Sequence, residues 1–149
     1  MSMDPLDAKY MALALEEARS ASREDEVPVG AVIIRDGAVL ARAHNRMEAT
    51  GDPTAHAELL AIQAAVKKGP LDGAALYVTL EPCAMCAMAA IHARIGRIVF
   101  GAFDEAAGCC GSVMDMTDHW FDHSIETIGG LCEVECGALI SDFFRRIRR

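Results

Sequence analysis

Short β-branched runs alternate with helical stretches through the middle of this chain, and that alternation restricts its possible folds more than any other feature. Val29 to Arg35 reads as a strand, and Asp36-Gly37 supplies the positive φ angles of a tight hairpin turn into a second strand, Ala38 to about Asn45. Ala75 to Leu80 and Arg97 to Ala102 are short apolar strands on either side of a helix from Pro82 to Arg94. Ile125 to Ile128 reads as a fifth strand. Further helices are expected from Pro5 to Ser22, from a cap at Asp52 or Thr54 to Lys68, and from Leu131 to Arg148. Arg46 to Pro53 reads as a loop, and residues 103–130 as loop-rich with a helical piece near Val113 to Asp118. A hairpin followed by strand–helix–strand units implies an α/β fold, with a mixed five-stranded sheet covered by helices on both faces.

Length and charge narrow the class. A chain of 149 residues has the size of one ordinary domain, and no linker or repeat divides 1–149. No apolar run reaches the ~18 residues that span a membrane. Asp4, Asp7, Lys9, Glu16 and Glu17 interrupt every apolar stretch near the start, so no secretory leader is read there and the cytoplasm is the expected location. The net charge of −8 argues against a surface that coats nucleic acid broadly. The last nine residues nevertheless carry +3, with Arg145, Arg146, Arg148 and Arg149 opposed only by Asp142. That tail reads either as a helix end complementing its dipole or as a basic handle for an RNA backbone.

Six cysteines in a reducing compartment point to metal or redox chemistry rather than disulfides. Cys83 and Cys86 form a C-x-x-C pair at a predicted helix start, where the dipole favours thiolates. His56 opens another predicted helix and offers an imidazole nitrogen. Two thiolates and one imidazole suit zinc, and three protein ligands leave one coordination position open, the pattern of a catalytic site. Glu58 stands two residues after His56, so its side chain diverges by roughly 200° on a helix and cannot ligate from the same face. It is free for general acid–base work on a metal-activated water. A redox pair would explain Cys83 and Cys86 but leave His56 and Glu58 without a task. Joined as H-x-E and P-C-x-x-C, the residues carry the signature of zinc deaminases that act on bases.

The remaining candidates are weaker. Cys132, Cys136, Leu139, Phe143 and Ile147 follow helical spacing and read as core. His92, His119 and His123 read as surface or hydrogen-bonded histidines, while Trp120 and Phe121 read equally as a pocket cover or as packing. The helix after Cys83 is apolar all round its circumference, which suggests either extra core depth or a face for a second copy of the chain.

The sequence resembles bacterial-type tRNA adenosine deaminases, which convert a wobble adenosine to inosine. The likeness runs through Glu26-Val27-Pro28-Val29-Gly30, His44-Asn45-Arg46, Asp52 to Glu58, Leu76 to Cys86, Ile91-His92-Ala93-Arg94, Val99 to Ala102 and Ser141-Asp142-Phe143-Phe144-Arg145. It implies a three-layer α/β/α cytidine-deaminase-like fold, one zinc ion per subunit, a homodimer and a tRNA anticodon stem-loop as partner. It also implies that Val29 lines a base pocket, that Asn45 contacts the flipped nucleotide, that Asp104 lies beside the substrate backbone, and that Phe144 and Arg145 lie near the anticodon loop. The alternative that the same metal core allows is a deaminase of a free base or nucleoside of guanine or cytosine type. Phe103, Asp122 and the doubled Cys109-Cys110 depart from the resemblance without touching the metal residues.

Overall fold

The computed structural model describes residues 4–148. Helix α1 spans Asp7–Arg23, strands β1 and β2 span Gly30–Arg35 and Ala38–His44, and a short helix α2 spans Met47–Thr50. Helix α3 (Ala57–Ala65) runs into a 3-10 turn at Val66–Lys68. Strand β3 (Ala75–Leu80), helix α4 (Ala84–His92) and strand β4 (Arg97–Ala102) follow, and then β5 (Glu126–Ile128) and α5 (Glu133–Ile147). The sheet order is β2-β1-β3-β4-β5. β1 is antiparallel to both β2 and β3, whereas β3, β4 and β5 run parallel. The mixed five-stranded sheet is therefore present as expected.

Side-chain alternation builds the two faces. Ala31, Ile33, Leu76, Val78, Ile98 and Phe100 point to a core completed by Ala57, Ala61 and Ile62 of α3 and Ala87, Ala90 and Ile91 of α4. Val32, Ile34, Tyr77 and Val99 point the other way, against Tyr10, Met11, Ala14 and Leu15 of α1 and Cys136 of α5. Helices α1 and α5 thus form one outer layer and α3 and α4 the other. α1 approaches β1 closely because Gly30 has no side chain: a Cβ there would lie 2.0 Å from Ala14 O.

Local signals erred where distant residues decide. The expected loop at Arg46–Pro53 contains α2, because the buried Glu26 carboxylate accepts the N–H groups of Glu48 and Ala49 at 2.9 and 2.7 Å. Asp52 and Thr54 cap no helix. Asp52 Oδ1 instead accepts the Thr54 N–H and hydroxyl in a turn, and His56 occupies the N-cap of α3. α4 likewise starts at Ala84, with Cys83 as its N-cap. Val113 to Asp118 is not helical. A bridge between Cys110 and Asp115 and a turn held by Asp115 on Thr117 replace the expected piece. On α5, Cys136 and Phe143 are buried as expected, but Ile147 is exposed because the helix end runs past the core.

The parallel strands β3 and β4 end where antiparallel β1 begins and β2 finishes. The chain therefore crosses this end of the sheet four times, entering β1 and leaving β2, β3 and β4, beside the N-termini of α3 and α4. All residues of the H-x-E and P-C-x-x-C segments lie there.

Candidate active site

His56 and Cys83 are both N-cap residues with extended backbones, at φ −76° and −78°. This turns their side chains off the helix ends toward each other. His56 Nδ1 lies 3.6 Å from Cys83 Sγ and 3.5 Å from Cys86 Sγ. Nitrogen and sulfur donors around a tetrahedral zinc ion, at about 2.0 and 2.3 Å from it, stand about 3.5 Å apart. The spacing and the N/S₂ donor set both fit that metal. Among the described residues, these three form the one cluster of this kind, with donor atoms within 4.8 Å of one another. Cys109, Cys110, Cys132 and Cys136 do not assemble a second.

The two sulfurs differ in character. Hydrogen bonds from Cys86 and His56 pull the Cys83 thiol down to about 3, making it a thiolate. The bond it shares with Cys83, together with burial, pushes Cys86 far up. His56 is raised chiefly by its hydrogen bond to Cys83. The cluster thus holds protons that a bound metal displaces.

Glu58, in the first turn of α3, is 4% exposed. Burial pushes its carboxyl up to about 7, so it can both take and give a proton near neutrality. Its side chain borders a cavity of about 180 Å³ together with His56 and Cys83. Val27, Val29, Asn45, Met47, Leu80, Glu81, Asp104 and Ala107 complete the lining.

The structure therefore brings Val29, Asn45 and Asp104 to the cavity that His56, Glu58 and Cys83 border. Asn45 is buried, with Nδ2 donating to Val27 O at 3.3 Å and Oδ1 accepting the Met47 N–H at 3.2 Å. Asp104 Oδ1 accepts the N–H groups of Ala106 and Ala107. Phe144 lies apart, in a neighbouring cavity that shares Val27, Asn45 and Met47 with the first and adds Glu24, Asp25, Glu26 and Glu48. Arg145 is exposed and pairs with Asp142 at 2.9 Å. Trp120, at 73% exposed, and Phe121 line neither cavity. His119 contacts Asp118, and His123 Nε2 meets Ile95 O at 2.7 Å.

The sequence did not single out Met47 or Glu81 as site residues. Met47 reaches the pocket on a helix that Glu26 builds from afar, which no local pattern records. Glu81 had a signal: a carboxylate closing an apolar strand is rarely buried without a purpose.

Fold and donor cluster define a deaminase domain of the zinc-binding class, and residues 5–102 match the cytidine and deoxycytidylate deaminase zinc-binding region. The chain is 46% identical over 147 residues to the tRNA-specific adenosine deaminase of Bacillus subtilis, covering 96% of this chain and 91% of that one. It is 41% identical over 143 residues to the Aquifex aeolicus tRNA-specific adenosine deaminase, covering 93% and 94%. A structure from studies of A-to-I editing by tRNA:A34 deaminases at the wobble position superposes with a TM-score of 0.83 at 45% identity, over 88% of this chain and 98% of that chain. The chain belongs to the tRNA-specific adenosine deaminases within the cytidine and deoxycytidylate deaminase family.

Proposed function

We propose that this protein hydrolyses adenosine to inosine at the wobble position of a tRNA anticodon, with zinc held by His56, Cys83 and Cys86. The observation that carries the reading is the meeting of those three donors beside the buried Glu58 at one cavity. Zinc, when bound there, supplies Lewis acidity that lowers the pKa of water to about 7.

Glu58 takes a proton from the attacking water and passes it to N1 of adenine as the water oxygen bonds to C6. It then carries the second proton to the amino nitrogen, so that the C6–N6 bond breaks and ammonia leaves. A carboxyl near 7 suits both directions of transfer. Val29 and Met47 pack the base, and Asn45 borders it with an amide already oriented by Val27 and Met47. The small pocket, with Glu58 buried in its wall, requires the base out of its stack, which an anticodon loop permits at low cost. Asp104 meets the sugar–phosphate side, while Phe144 and Arg145 meet the loop beyond. The whole chain works as one deaminase domain, as a homodimer in the cytoplasm.

Zinc-loaded protein incubated with an anticodon stem-loop bearing adenosine at the wobble position should yield inosine on nucleoside analysis. Glu58→Ala should keep its zinc and lose activity by about 10²-fold or more. Normal inosine formation by that variant would remove Glu58 from the mechanism, and wild-type activity confined to free bases would replace the substrate.

A further inference from the structure

Glu81 directly follows β3 two positions before Cys83, borders the cavity and is 2% exposed. Among the described residues, every hydrogen bond to its carboxylate comes from one segment, residues 104–112. Oε1 accepts the Asp104 N–H at 3.0 Å and the Ser112 hydroxyl at 2.5 Å. Oε2 accepts the N–H groups of Cys110 and Ser112 at 3.1 and 3.0 Å. Gly108 is flush against the same carboxylate, since a Cβ there would lie 2.3 Å from Glu81 Cδ and 2.6 Å from Asp104 O. This segment forms the cavity wall that carries Asp104 and Ala107.

We infer that Glu81 is a positioning residue that ties the substrate-facing wall at 104–112 to the short β3–α4 link carrying Cys83, so that wall and donor cluster keep one fixed spacing. The inference rests on the deaminase reading and deepens it. Both carboxylate oxygens are occupied by donors, which leaves proton transfer to Glu58. Only a carboxylate satisfies the set: a glutamine would turn an N–H₂ group onto donors and break one side of the clamp. Glu81 therefore acts on substrate placement, through Asp104 and Ala107, rather than on the reacting atoms.

The test is Glu81→Gln in the zinc-loaded enzyme, assayed on the anticodon stem-loop RNA. KM should rise by about tenfold or more, the effect expected from losing hydrogen bonds to a charged group, with kcat within about threefold and zinc content unchanged. Ser112→Ala, which removes one donor from the carboxylate and leaves the rest of the clamp, should give a milder form of that split, and Gly108→Ala, whose Cβ would crowd both the carboxylate and the Asp104 carbonyl, should reproduce it. These two variants still test the assignment if Glu81→Gln fails to fold. An unchanged KM in folded variants, or loss of zinc or kcat with KM unmoved, overturns it. Should wild-type protein make no inosine, the deaminase reading fails instead. Amide exchange at Asp104 and Cys110 still decides the anchoring, because exchange no faster in Glu81→Gln than in wild type overturns it.

Discussion

At the scale of single residues, buried carboxylates organise this molecule, and each does so by a different means. Glu58 is kept from water, and burial sets its proton affinity near 7. Glu26 and Glu81 are filled by backbone N–H donors and shape the two rims of the cavity. Asp7 is fully buried and meets Arg97 Nη1 and Nη2 at 2.7 Å and the Tyr77 hydroxyl at 2.6 Å. Hydrogen bonds from Arg97, and then from Tyr77, hold its carboxyl below the ordinary 3.8. A carboxyl depressed in the folded state stabilises that state above the unfolded value and loses the contribution as pH falls through the lower folded value. Asp7→Asn should therefore lower Tm at neutral pH and flatten the loss of Tm below about pH 4. Thermal melts between neutrality and pH 3 check this, and an acid slope identical to wild type would show that other groups govern acid unfolding.

At the scale of elements, close packing on the sheet matters more than helix propensity. α1 lies against β1 at Gly30, where a Cβ would come within 2.0 Å of Ala14 O and 2.5 Å of Ala18 N. Both are backbone atoms, so no rotamer change relieves the overlap and the helix itself must move. Gly30→Ala should cost about 2 kcal/mol or more, lowering Tm by at least about 4 °C. A melt equal to wild type would mean that α1 shifts freely. Because α1 sits on the face opposite the donor cluster, zinc content of the folded fraction should be unchanged.

At the scale of the whole molecule, α4 joins the metal site to the surface. Cys86, Ala87, Ala90 and Ile91 are buried, while Met85, Met88, Ala89 and Ala93 remain half-buried, with Ala84 and His92 exposed. The proposed homodimer uses this partly uncovered apolar side. Wild-type protein should sediment at twice 16.0 kDa, and Met85→Glu should shift it toward the single-chain mass. Sedimentation of the wild type as a monomer at micromolar concentration would exclude the dimer. No helix among the described residues is long and apolar enough to cross a membrane.

Periodicity and turn chemistry by themselves determined the strands, the Asp36-Gly37 hairpin and the order of elements, because those depend on neighbours in the chain. The donors His56, Cys83 and Cys86 and the carboxylate Glu58 were legible too, since metal chemistry restricts which residue types occur at which spacing. Tertiary structure alone decided that His56 and Cys83 would be N-caps, that α2 would form at all, and that Phe144 would lie in the adjoining cavity rather than beside the metal. The physical reason is that each depends on a partner far along the chain. Glu26 reaches Glu48 and Ala49, and Glu81 reaches Asp104, Cys110 and Ser112, through hydrogen bonds that exist only once the sheet has brought their segments together.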